Sequence, residues 1–246
     1  MNRKYDYYKD DEDRDVNISG MLKYANSKQE IDKFLEKIIS SYISNKQLKV
    51  LDACCGIGHL VDYLSNISPE SMFYGWDQTS YLIEKAKQLF QHKQNVNFEV
   101  IDIYDFPDDK KFSFDISISW KTLSWLPYYD EMIKSLMKLT KHHIFISSLF
   151  YDDDIDFEIK VREYKKESAK KQFNLYYNVY SLPRFKKFVY GLGAKNIQVY
   201  DFNIDIDIPK PSTGLMGTYT AKLEDGTRMQ ISGAVVMYWK IIRIDL

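Results

Sequence analysis

The chain has two cysteines, and they are neighbours, Cys54 and Cys55. Adjacent cysteines rarely bridge. No C-x-x-C pair or Cys/His cluster supplies zinc ligands, so neither a disulfide framework nor a metal site is expected. Sparse free cysteine suits a reducing compartment, and a cytoplasmic location is expected. An excess of one charge is also missing. Thirty-four Lys and Arg against 35 Asp and Glu leave a net charge of -1. Phosphate-backbone binding therefore has no global electrostatic support, and nucleic acid is not an expected partner. No apolar run approaches the roughly 18 residues that a spanning helix needs, so no membrane partner is expected. The stretch from Met1 to Asp15 is dense in charge and lacks the apolar core of a signal peptide.

What is present fits a globular α/β protein. At 246 residues and 45% hydrophobic content, the chain can form one large domain, or one domain with a small cap. A single unit over 1–246 is expected. Twenty tyrosines, beside many Lys, Ile, Asn and Asp, fit an A- and T-rich coding sequence better than a tyrosine-lined pocket, although a few could line one.

The pattern along the chain alternates. Residues 1–20 are polar and acidic, and 1–24 reads as an arm or lid. Ile31, Phe34, Leu35, Ile38, Ile39 and Tyr42 recur at helical spacing. Strands are expected at 49–53, 72–76, 96–101, 112–119 and 143–149, separated by amphipathic helices. Such alternation predicts a parallel sheet with right-handed crossovers. Residues 150–180 break the rhythm as an insertion: an acidic loop at 152–156 read as solvated, a Lys-rich helical stretch at 160–171, then an aromatic segment. A helix carrying Phe185, Phe188, Val189 and Leu192 precedes a strand at 196–202. Tyr219 to Gln230 alternates around Asp225-Gly226, a hairpin signal, and Ile231 to Ile244 reads as one last strand.

The most informative run is Leu48-Lys49-Val50-Leu51-Asp52-Ala53-Cys54-Cys55-Gly56-Ile57-Gly58-His59-Leu60. An apolar strand ends on a carboxylate, turns through two glycines one residue apart, and enters a helix. Glycines there let backbone approach a ligand, with a helix N-terminus behind it. Two more carboxylates, Asp77 and Asp102, close the second and third strands. Ligands on such sheets bind at the carboxyl ends of the strands.

This run resembles the first motif of class I S-adenosylmethionine-dependent methyltransferases, a strand followed by D-x-G-x-G-x-G, with Cys54 at the first glycine position. The rival dinucleotide pattern G-x-G-x-x-G would need a third glycine where Val61 stands. The other rival is a non-catalytic methyltransferase-like binding subunit. The resemblance implies a Rossmann-like fold: a seven-stranded, mostly parallel sheet ending in an antiparallel hairpin, with a small cap from insertions. It implies S-adenosylmethionine as cofactor, S-adenosylhomocysteine as product, and cofactor contacts from Tyr24, Asp52, Cys54, Gly56, Gly58, Asp77, Gln78, Asp102, Ile103 and Trp120. Asp77 would take the ribose hydroxyls, so Asp77→Ala is expected to weaken cofactor binding and leave ligand-free stability nearly unchanged. Asp102 would accept from the adenine amino group, and Ile103 would contact the ring.

The segment after the fourth strand, Trp120-Lys121-Thr122, lacks the N/D-P-P-Y/F run of amino methyltransferases acting on nucleobases. The expected acceptor is an oxygen of a small or carbohydrate-linked molecule. His59 is the candidate base for a hydroxyl acceptor. Lys121, Arg184 and Arg228 are candidate cations for an acceptor oxygen already anionic, and the sequence does not rank them. The segments 173–184 and 217–233 more loosely resemble small bacterial methyltransferases of surface-polysaccharide synthesis, those of the capsular O-methyl phosphoramidate group or of sugars. The arm, the 173–184 segment and the 217–230 hairpin are expected over the site, with Tyr177, Tyr180 and Arg228 touching the acceptor.

Overall fold

The structure, a computed structural model, describes residues 14–25, 29–161, 175–211 and 217–246; within 14–25 the side chains described are those of residues 15 and 18–22. The expectations for residues 1–13, for the Lys-rich stretch from 162 on, for Phe173 and for the Tyr24 side chain lie outside the described residues.

The elements follow the alternation. Two helices, α1 (Arg14–Ala25) and α2 (Glu30–Ile43), precede β1 (Lys49–Ala53), α3 (His59–Ile67), β2 (Met72–Asp77), α4 (Ser80–Phe90), β3 (Val96–Val100), β4 (Phe114–Ser119), α5 (Asp130–Leu139) and β5 (Thr140–Tyr151). Short strands β6 (Lys160–Val161), β7 (Leu175–Tyr176) and β8 (Tyr180–Ser181) lead into α6 (Leu182–Gly191) and β9 (Asn196–Phe202). The chain ends with β10 (Thr218–Lys222), β11 (Arg228–Ser232), β12 (Val235–Val236) and β13 (Trp239–Asp245).

The main sheet has the order β3-β2-β1-β4-β5-β13-β9, with β8 added parallel to the end of β5. Strands β1 to β5 pair in parallel, while β13 runs antiparallel to both β5 and β9. Order reverses between β1 and β4, which opens a crevice at their carboxyl ends. The period of two along β1 divides its side chains between layers. Val50 joins one core with Leu35 and Ile39 of α2 and Leu64 of α3. Leu51 and Ala53 join the opposite core with Met132 and Leu136 of α5 and Phe185 of α6.

Two expected elements differ. Residues 231–244 do not form one strand. Gly233, at φ 61, turns the chain after β11, so β13 starts only at Trp239. The Asp225-Gly226 hairpin forms as expected but sits outside the main sheet, in a three-stranded sheet of β10, β11 and β12. The antiparallel part of the main sheet is instead the β9–β13 pair. The acidic loop after β5 is exposed, as expected, and its carboxylates also find partners. Asp154 pairs with Arg184 at 2.5 Å, Asp152 with Lys240 at 3.2 Å, and Asp156 accepts the Ser181 N–H at 2.6 Å.

Candidate functional site

The carboxyl ends of β1 to β4 converge on a cavity of about 320 Å³, within the range of small-molecule sites. Its floor is the turn between β1 and α3. Three residues there have left-handed backbone: Cys54 at φ 65, Gly56 at φ 57 and Gly58 at φ 83. Cys54 is therefore a non-glycine residue in a conformation that costs of order 1–3 kcal/mol. Its amide neighbours hold the shape: the Cys55 N–H donates to the Trp76 carbonyl and the Gly58 N–H to the Cys55 carbonyl, each at 3.0 Å. Gly58 is required sterically as well, because a Cβ there would lie 2.5 Å from the Phe98 ring.

Asp77 at the end of β2 braces the same turn. Its carboxylate accepts the Gly56 N–H at 3.0 Å and the Thr79 N–H at 2.9 Å. Burial pushes its proton affinity up, and these two donors oppose the shift. Asp77 thus braces the turn as well as lining the cavity, and these two bonds speak against the expectation that its loss would spare the ligand-free protein. Asp102 lies two residues beyond β3 and accepts the Tyr104 N–H at 2.9 Å, which holds Ile103 against the cavity. Gln78 lines the same region.

Three further residues lining the cavity gather charge. Asp52, only 5% exposed, has one carboxylate oxygen, Oδ1, with no hydrogen-bond partner. Burial, then the nearby Asp77, pushes its carboxyl well above the usual range, with Lys121 opposing. His59 presents a buried Nε2 that also lacks a partner, and burial lowers its proton affinity so that the imidazole is neutral. Burial also draws the Lys121 ammonium down, while Asp32 and Asp52 hold it up. Both cysteine thiols are pushed up by burial and by Asp77 and Asp52, which favours the protonated thiol. A buried carboxylate oxygen and an imidazole nitrogen without partners are what a bound polar ligand would complete.

Trp120 and Lys121 enter this cluster through partners that sequence spacing does not reveal. The Trp120 indole N–H donates to Asp32 Oδ1 at 2.8 Å, and the Lys121 ammonium to Gln29 Oε1 at 2.7 Å. Gln29 is the N-cap of α2 and Asp32 lies in its first turn, where the sequence shows only an amphipathic helix. From α1, Met21 covers Gly56, while Ile18, Met21 and Leu22 pack on Ile57, Tyr81 and Leu82.

Three expected acceptor contacts are elsewhere. Tyr177 is 3% exposed and packs against the Trp125 and Trp239 rings. Tyr180 is 4% exposed, and its hydroxyl donates to the Leu126 carbonyl at 2.5 Å. With Asn178, which donates to the same carbonyl at 3.0 Å, it braces the turn bearing Trp125 and Leu126, two residues that do line the cavity. Arg228 is tied to Asp207 at 2.9 Å and Asp205 at 3.1 Å beside the hairpin. None of the three lines the cavity. Their rings and charge are used for packing and pairing, which an aromatic-rich segment does not disclose.

Among the described residues no helix is long and apolar enough to cross a membrane, and no group of three or more His, Cys, Asp or Glu could hold a metal ion.

Comparison with known proteins gives a consistent picture. A family described as a methyltransferase domain matches residues 44–196. The protein named methyltransferase 235L in Invertebrate iridescent virus 6 is 31% identical over 147 residues, covering 54% of this chain and 51% of that protein. The malonyl-[acyl-carrier protein] O-methyltransferase of Bacillus anthracis is 28% identical over 127 residues, covering 51% and 45%. The chain thus spans about half the length of these curated relatives. Among solved structures, magnesium protoporphyrin IX methyltransferase from Synechocystis PCC 6803, with bound S-adenosylhomocysteine, superposes with a TM-score of 0.55 over 95% of this chain and 99% of that one. At 14% identity that likeness concerns the fold.

Proposed function

This chain belongs to the methyltransferase-domain family, of the class I S-adenosylmethionine-dependent type, and we propose that it transfers a methyl group to an anionic oxygen of a small, carbohydrate-linked or carrier-linked acceptor. S-adenosylmethionine is the cofactor, and it supplies a methyl group already activated on a sulfonium. The protein's task is then orientation and desolvation more than acid–base chemistry.

The cofactor residues have separable tasks in this reading. Asp77 accepts the ribose hydroxyls with lone pairs left over from the Gly56 and Thr79 amides. Asp102 accepts from the adenine amino group, and Ile103 packs on the ring. Asp52, with its partnerless buried oxygen, receives the cofactor's α-ammonium. Cys54, Gly56 and Gly58 give the turn over which the cofactor lies, and Gln78 and Trp120 line its two ends.

The single observation that carries the acceptor reading is Lys121. Among the described residues it is the only lysine or arginine lining the cavity. An anionic oxygen needs a cation to hold it and no base to activate it. Two acceptor types share this chemistry. The phosphoryl-type oxygen of capsular O-methyl phosphoramidate synthesis is supported by the resemblance of segments 173–184 and 217–233. A carrier-linked carboxylate is supported by the name of the Bacillus anthracis relative. A second reading, a sugar hydroxyl, is favoured by one observation: the partnerless Nε2 of neutral His59 could take a hydroxyl proton.

Release of S-adenosylhomocysteine, measured with a sugar phosphoramidate, a malonyl thioester and a neutral sugar, tests the choice. Turnover of an anionic acceptor is expected, flat in pH near neutrality and lost in Lys121→Met with cofactor affinity retained. Turnover of the neutral sugar alone, with an ascending pH limb removed by His59→Ala, would establish the second reading. Preferential binding of NAD(H) in a calorimetric titration would defeat both.

A further inference from the structure

Lys121 is held in an unusual way. Its backbone is left-handed at φ 56, and its N–H donates to Ser147 Oγ at 2.7 Å, which fixes where the side chain departs. The ammonium then reaches across to α2. It donates to Gln29 Oε1 at 2.7 Å and lies 3.9 Å from Asp32 Oδ1. That same Asp32 oxygen accepts the Trp120 indole N–H at 2.8 Å. One carboxylate oxygen therefore meets both residues that follow β4, from a helix 88 positions earlier in the chain.

We propose that Asp32 is the positioning residue of the transfer site: a single carboxylate oxygen orients the Trp120 ring and the Lys121 ammonium together. This rests on the reading of Lys121 as the acceptor's cation. Gln29 shares the ammonium but carries no charge, so it aligns Lys121 without keeping it protonated. The charged and titratable groups facing Lys121 are Asp32 from α2, Asp52 from β1 and His59 from α3; Ser147 from β5 is neutral. His59 is neutral through burial. Asp52 is committed to the cofactor's ammonium in the loaded enzyme. Asp32, 3.9 Å away, is then the anion left to keep the ammonium charged. Asp32 touches neither donor nor acceptor in this scheme and acts through its two partners.

The test separates charge from alignment. Asparagine at 32 can still accept the indole N–H, whereas alanine cannot. The 246-residue chain, isotope-labelled at lysine and tryptophan, is titrated by NMR, with and without S-adenosylhomocysteine, following the Lys121 side chain and the Trp120 indole N–H. In Asp32→Asn the Lys121 midpoint moves to lower pH while the indole resonance keeps its hydrogen-bonded position. In Asp32→Ala both change. Turnover of the accepted anionic substrate loses its alkaline limb at correspondingly lower pH in Asp32→Asn, with cofactor affinity unchanged. A Lys121 titration unmoved in Asp32→Asn overturns the inference and leaves the reading of Lys121 intact. Full turnover in Lys121→Met defeats that reading instead, whatever the titration shows. Should Asp32→Ala not fold, Asp32→Asn alone decides.

Discussion

Asp52→Asn removes one charge from the end of β1 and keeps the side chain's shape. In the ligand-free protein that charge is a liability. Asp52 is buried, its Oδ1 has no partner, and its surroundings are two carboxylates, Asp77 and Asp32, against one ammonium, Lys121. An unsatisfied buried polar group costs about 1–3 kcal/mol, and more when charged. Asparagine still leaves an acceptor unpaired, so only the charged excess is recovered, about 1–2 kcal/mol. For a chain of this length each kcal/mol moves Tm by roughly 2–4 °C. Ligand-free Asp52→Asn should therefore melt about 2–8 °C higher than wild type at neutral pH. The pH dependence has a definite sign. The folded carboxyl holds its proton more tightly than the unfolded one, so its contribution is complete below the ordinary aspartate range and is lost as pH rises through the raised value. The gap between variant and wild type should widen as pH rises above the ordinary aspartate range, measured by scanning fluorimetry. Binding moves the other way. A charge-assisted hydrogen bond is worth about 1.5–3 kcal/mol, so the affinity for S-adenosylhomocysteine should fall roughly 10- to 100-fold by calorimetry. A variant that melts lower than wild type and binds the ligand normally would refute the argument, since Asp52 would then be satisfied within the fold.

Two further substitutions probe the division between site and scaffold. Asp77→Ala strands the Gly56 and Thr79 amides, so ligand-free stability should drop by about 2–4 kcal/mol together with cofactor affinity; an unchanged ligand-free melting curve would mean that the two amide bonds contribute nothing. Tyr180→Phe deletes the bond to the Leu126 carbonyl, so unfolding in urea should show a loss of about 1–2 kcal/mol with cofactor affinity unaltered. A raised acceptor KM at full stability would instead return Tyr180 to the acceptor site.

The sequence by itself determined the parts that depend on neighbours in the chain. Alternating apolar strands and amphipathic helices predicted β1 to β5 and the helices between them, because periods of 2 and 3.6 report which face is buried. The carboxylate–glycine turn at 52–58 was legible because a tight strand-to-helix turn over a ligand needs left-handed positions at fixed spacing, and Cys54, Gly56 and Gly58 occupy them. Asp77 was legible because it closes β2, and Asp102 because it follows β3 by two residues, since parallel strands share one carboxyl end. The tertiary structure decided what depends on residues far apart. Tyr177 and Tyr180 are inside because rings of Trp125, Trp239 and Tyr129 surround them, and Arg228 is spent on Asp205 and Asp207. Gln29 and Asp32 join the cavity only because α2 packs beside the end of β4. The 231–244 run breaks because Gly233 turns and β13 finds partners in β5 and β9. A local pattern encodes the conformation of its own segment; which charges are neutralised, which rings are buried and which helix turn meets which loop follow from packing across 20 to 90 residues.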